Sequence, residues 1–114
     1  NDLIADEWVW RLPHVVNHAH LCMAAGDGRG RAALQQLIAR AEETRAEGIV
    51  NVDALYWVAS AHAVMGENER ALEVLEEAVQ RGWRHAWWAR HDWNWSSLGD
   101  DSRYRDLLAR GQAV

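Results

Sequence analysis

Between Ala54 and Met65 the chain carries almost no polar face, because Leu55, Tyr56, Trp57, Val58, Ala59, Ala61, Ala63, Val64 and Met65 follow one another with few interruptions. A helix apolar around most of its circumference must be covered on most sides. The next segment supplies a cover. From Glu69 to Arg81, Ala71, Leu72, Val74, Leu75, Ala78 and Val79 form one stripe, while Glu69, Arg70, Glu73, Glu76, Glu77 and Gln80 form the opposite face, which is an amphipathic helix. Only Gly66, Glu67 and Asn68 separate the two, and so short a connection leaves the helices antiparallel neighbours. Asp53 and Asn68 are the expected N-caps and Gly82 the expected left-handed stop.

The same design appears upstream. An apolar segment through Val15, Val16, Ala19, Cys22 and Met23 reaches Gly26, and a loop from Asp27 to Gly30 leads into a helix striped by Leu34, Leu37, Ile38 and Ala41 that ends near Gly48. Gly26 and Gly66 stand about forty residues apart, a spacing within the range of helical solenoid repeats. Pro13 is expected in the first turn of the upstream segment, where its missing amide costs nothing. Within residues 1–12, Ile4, Trp8 and Leu12 share the spacing of one helical face, which allows a short preceding helix. After Gly82, Trp83, Trp87, Trp88, Trp93 and Trp95 crowd a stretch with polar breaks, so short turns are expected there. A last helix from Ser102 to Arg110 is capped by Asp100 or Asp101, with Tyr104, Leu107 and Leu108 folding back on the hairpin.

These 114 residues suffice for one domain. Every basic residue is arginine and phenylalanine is absent, as a G+C-rich bacterial coding bias would produce. The net charge of -5 argues against nucleic acid and against an anionic membrane surface, both of which select basic footprints. Cys22 is the single cysteine, which excludes an intrachain disulfide and a cysteine zinc knuckle. No run of about eighteen apolar residues exists, and the stretch after Asn1 lacks the basic region and apolar block of a secretory signal. Nothing assigns a compartment, and cytoplasmic is the default. Because it begins with Asn1, the chain is expected to be a piece of a longer protein.

The run AHAVMGENERALEVLEEAVQRGW, residues 61–83, resembles a tetratricopeptide repeat. Leu55, Val58 and Ala59 fall at that repeat's large, large and small packing positions on its first helix, Gly66 at the turn, and Ala71, Leu75 and Ala78 at the small, large and small positions of the second. His62 departs from the pattern, standing where an aromatic is usual. The tail RGWRHAWWARHDWNWSSLGDDSRYRDLLAR resembles the segment closing many bacterial tetratricopeptide arrays, through Asp92, Trp93, Leu98, Asp100, Asp101 and Tyr104, with Ser102 where proline is common. The resemblance covers residues 52–110 well and 13–48 loosely. It implies an all-α domain over 1–114: a degenerate first hairpin at 13–48, a second at 53–82 and a capping segment at 83–114, stacked as a short right-handed superhelix. Arrays of this family present a groove lined by their first helices, so His18, Tyr56, Trp57 and Ser60 are the implied partner contacts.

The expected function is protein docking or scaffolding, without catalysis, cofactor or metal. Two alternatives stay open: a non-catalytic accessory domain packed on a catalytic domain such as a sulfatase-like hydrolase, and a homo-oligomerisation domain. His14 and His18, four apart, could hold a metal with His20 or a carboxylate, yet HVVNH lacks the glutamate of a zinc protease. His85, His91 and Asp92 could form an acid–base set, but no nucleophile motif accompanies them. The tryptophans could stack on sugars or bases; a structural role is preferred, because a small core gains much from large aromatics. Cys22 reads as a small hydrophobe. The glutamates of residues 69–81 read as a solvated face, although net acidity favours a basic partner.

Overall fold

The computed structural model describes residues 2–48 and 50–112, with side chains from Arg11 onward. All regular structure among the described residues is helical: α1 (Asp2–Ala24), α2 (Arg29–Ala46), α3 (Val52–Val64), α4 (Asn68–Gln80), α5 (Ala86–Ala89), a 3-10 segment (Trp93–Leu98) and α6 (Ser102–Arg110). None of these helices is long and apolar enough to cross a membrane. As the apolar circumference of α3 requires, this helix is central and packs on α1, α2, α4 and the 3-10 segment. α4 covers it most extensively, and Ala71, Leu75 and Ala78 on α4 and Ala59 on α3 are all fully buried. Alanine-sized notches let two helices approach while leucines fill the groove beside them.

The forty-residue recurrence has a physical basis in one repeated turn. At Gly26 (φ 76°) and Gly66 (φ 79°) the backbone is left-handed, which glycine adopts without a Cβ penalty. In both turns the helix's last carbonyls are satisfied in the same way. Gly26 N donates to Met23 O and Asp27 N to Cys22 O; Gly66 N donates to Ala63 O and Glu67 N to His62 O. Gly82 (φ 111°) ends α4 by the same device, with Trp83 N donating to Ala78 O, the Schellman pattern.

Several boundaries differ from expectation. α1 does not start at Pro13 but runs through it. An interior proline forfeits one helical hydrogen bond and costs about 3 kcal/mol, and burial of Leu12, Val16 and Ala19 along one face offsets that loss. α2 begins at Arg29, so Gly30 lies in its first turn and not in a loop. There Gly30 is buried against α1, and a Cβ would meet Ala19 O at 2.6 Å and Cys22 Cβ at 2.9 Å; the position demands a residue without one. α3 is capped by Asn51, whose Oδ1 accepts from Asp53 N (2.9 Å) and Ala54 N (3.1 Å), and not by Asp53. Asn68 is the first residue of α4 and caps nothing. Glu67 is held back at the turn, where its carboxylate takes His62 Nδ1 at 2.8 Å. Asp101, as expected, caps α6 by accepting from Tyr104 N at 3.0 Å.

Candidate functional site at the tryptophan-rich end

After Gly82 the chain folds back over the hairpins. Trp83 is buried and stacks on Tyr56, with ring centroids 5.1 Å apart and planes 9° from parallel. α5 turns Ala86 and Ala89 inward, which leaves Trp87 and Trp88 outside. Asp92 then caps the 3-10 segment, its Oδ1 accepting from Asn94 N at 3.0 Å. The capping carboxylate also reaches the hairpin. Tyr56 Oη donates to Asp92 Oδ2 at 2.5 Å and accepts from Trp95 Nε1 at 3.1 Å. Trp95 in turn stacks on Tyr104 at 5.1 Å, and Tyr104 Oη donates to Ala89 O.

A second set of bonds ties the 3-10 segment to α1. Asn94 is 2% exposed, and burial of an amide demands that its polar atoms be satisfied. Its Nδ2 donates to Asn17 Oδ1 (2.8 Å) and Asp92 Oδ1 (2.7 Å), and its Oδ1 accepts from His20 Nδ1 (2.8 Å). The network therefore assigns the His20 proton to Nδ1. Trp93 stacks on the His20 ring at 4.0 Å and donates its Nε1 hydrogen to Asn17 Oδ1 at 2.9 Å. Burial, reinforced by the neighbouring Asp92 charge, pushes the Tyr56 phenol well above its ordinary range; burial and Asp92 do the same to Tyr104, with Arg90 opposing. Both phenols are thus held neutral as donors.

This arrangement alters the expected contact set. His18 is exposed, its ring 3.8 Å from Cys22 Sγ. Tyr56, Trp57 and Ser60 are not available to a partner: they are 2%, 8% and 0% exposed. Two causes are visible. The 3-10 segment lies across α1 and α3, where a groove was expected, and Ser60 turns its hydroxyl back to Tyr56 O at 3.0 Å. His85 faces Asp53 at 3.8 Å while Asp92 is occupied by Tyr56 and Asn94, so the sequence trio is not assembled as an acid–base set. No three His, Cys, Asp or Glu side chains converge as a metal site among the described residues.

The glutamates of α4 are neutralised locally. Arg103 pairs with Glu69 and Glu76, Arg110 with Glu76, Arg45 and Arg81 with Glu77, and Arg70 with Glu73. Such exposed pairs contribute little individually, but they leave no bare acidic face for a basic peptide. Asn17, Asn94 and Gly30 were missed from sequence, and no local pattern marks them. What stands open at this end is aromatic: Trp87, Trp88 and Trp93 are 58%, 46% and 44% exposed, the first two meeting edge to face at 5.9 Å. Comparison with protein-family models, curated proteins and solved structures finds no match to the chain.

Proposed function

We propose that this chain is a tetratricopeptide-like protein-docking domain, in which two helix hairpins stack as a short right-handed superhelix and a tryptophan-rich segment closes the end. Its partner seats on the outer indoles Trp87 and Trp88, and not in a groove along α1 and α3. The observation that supports this most is the contrast in exposure. Aromatic residues on α3 are covered, while two adjacent indoles on α5 remain about half exposed. Tryptophan is enriched at the energetic centres of protein interfaces, and covering about 100 Å² of each indole would contribute roughly 2.5 kcal/mol at about 25 cal/mol per Å².

Affinity capture from lysate, quantified by mass spectrometry, tests the assignment with the chain beside its W87S/W88S variant. Proteins retained by the former should be lost from the variant, while the thermal melts agree. Identical capture by both would remove the indoles as the docking surface. A concentration-dependent dimer abolished by the same substitutions would reassign the surface to a second copy of the chain.

A further inference from the structure

A cleft of about 530 Å³ opens between α5, the 3-10 segment and α6. Its floor is apolar, built from Ala89, Trp95, Tyr104 and Leu108. Its rim is rich in donors: Arg90, His91, Ser96 and Arg105. The rim carboxylate, Asp92, has already given its oxygens to Asn94 and Tyr56. His91 and Ser96 make no side-chain hydrogen bond among the described residues. Arg105 spends Nε on Gly99 O and one terminal nitrogen on the exposed Asp100.

Arg90 is the informative member. Arginines 29, 45, 70, 81, 103, 105 and 110 each hold a carboxylate, and Arg84 is used by main-chain carbonyls. Arg90 has instead the amide of Gln112. With that amide oriented to satisfy both ends, its oxygen accepts from both terminal guanidinium nitrogens, at 2.8 and 3.1 Å. A neutral oxygen thus sits in a fork that suits a carboxylate better, because charge-assisted bidentate bonds are roughly twice as strong as neutral ones. Gln112 is itself exposed and displaceable.

We infer that this cleft receives a glutamate or aspartate side chain of the docking partner, with the carboxylate on Arg90 and its methylene stem on the apolar floor. The inference rests on the docking reading for its premise that the ligand is a protein. A monoanion fits better than a phosphate dianion, because the Asp92 charge stands on the same rim and repels each added negative charge.

The test is a nuclear magnetic resonance titration of the ¹⁵N-labelled chain with a blocked alanine–glutamate peptide, its glutamine counterpart, glutarate and inorganic phosphate. The glutamate peptide should shift the resonances of Arg90, His91, Ser96 and the Trp95 indole, and the glutamine peptide should not. Binding should weaken roughly tenfold or more in R90Q, the loss expected for hydrogen bonds to a charged group, and should fall in about 0.5 M salt. R105Q, a second exposed position, provides an independent variant. Shifts confined to another surface, or an R90Q chain that binds as tightly as the parent, would overturn the inference. So would glutarate or phosphate binding as tightly as the peptide, which would make the cleft a small-anion site. Loss of peptide binding in R90Q reports on the cleft alone, and loss of capture in W87S/W88S reports on the indoles alone.

Discussion

Replacing Tyr56 with phenylalanine removes one oxygen atom and keeps the ring that stacks on Trp83. That oxygen holds two bonds at once, donating to Asp92 and accepting from Trp95. The bond to the carboxylate is worth about 1.5 to 3 kcal/mol, and a buried indole N–H left without an acceptor costs about 1 to 3 kcal/mol. Asp92 is only half-buried and keeps both Asn94 donors, so water replaces part of what the phenol supplied. The first contribution therefore falls at its lower end. Y56F should lose about 2.5 to 4.5 kcal/mol, a large share of the roughly 5 to 15 kcal/mol that holds a domain together. Urea unfolding followed by tryptophan fluorescence reads this directly as a lowered midpoint with unchanged slope. In a double-mutant cycle with D92N, the two positions should couple by about 1 kcal/mol or more. A Y56F chain within about 0.5 kcal/mol of the parent, the ordinary range of neutral surface changes, would refute the claim that this phenol joins the closing segment to α3.

Two further outcomes follow from the same packing. Both tyrosines have phenols raised above their ordinary range. The unfolded chain therefore releases these protons first, and stability should be intact below about pH 10 and fall as the pH rises beyond it. Ultraviolet absorbance should show phenolate only as helicity is lost; a tyrosine ionising near pH 10 with full helicity would contradict this. For Gly30→Ala, helix propensity alone favours alanine by about 1 kcal/mol, but the new Cβ would lie 2.6 Å from a backbone oxygen of α1. Thermal and urea denaturation should show a net loss of about 1 to 3 kcal/mol, and a gain would mean that α1 and α2 are not in such close contact.

Much of the helical framework was legible because its signals are local. Glycines 26, 66 and 82 mark three turns, and all three adopt the left-handed backbone that no other residue adopts so readily. The stripe of α4 predicts its buried face residue by residue. Capping was less legible, because Asn51 and Asp53 are both competent and only the path of the incoming chain selects between them. Pro13 misled because a local rule about its amide was overridden by burial on either side of it. Among the expected contact residues His18 is exposed, but Tyr56, Trp57 and Ser60 are covered, for a deeper reason. Whether Tyr56 is open or covered depends on Asp92 and Trp95, and Asn94 finds Asn17 across 77 positions; periodicity over a few turns carries no information at that range.

The 3-10 segment closes over α3 and α1 while Trp87 and Trp88 stay outside. Hydrogen exchange of the individual indole N–H groups, followed by nuclear magnetic resonance, measures this with one probe on each side. The Trp95 indole, bonded to Tyr56 inside the closed end, should exchange only through the opening that unfolds the segment, orders of magnitude more slowly than the indoles of Trp87 and Trp88. Trp95 exchanging as fast as Trp87 would show that the end of the domain is not closed.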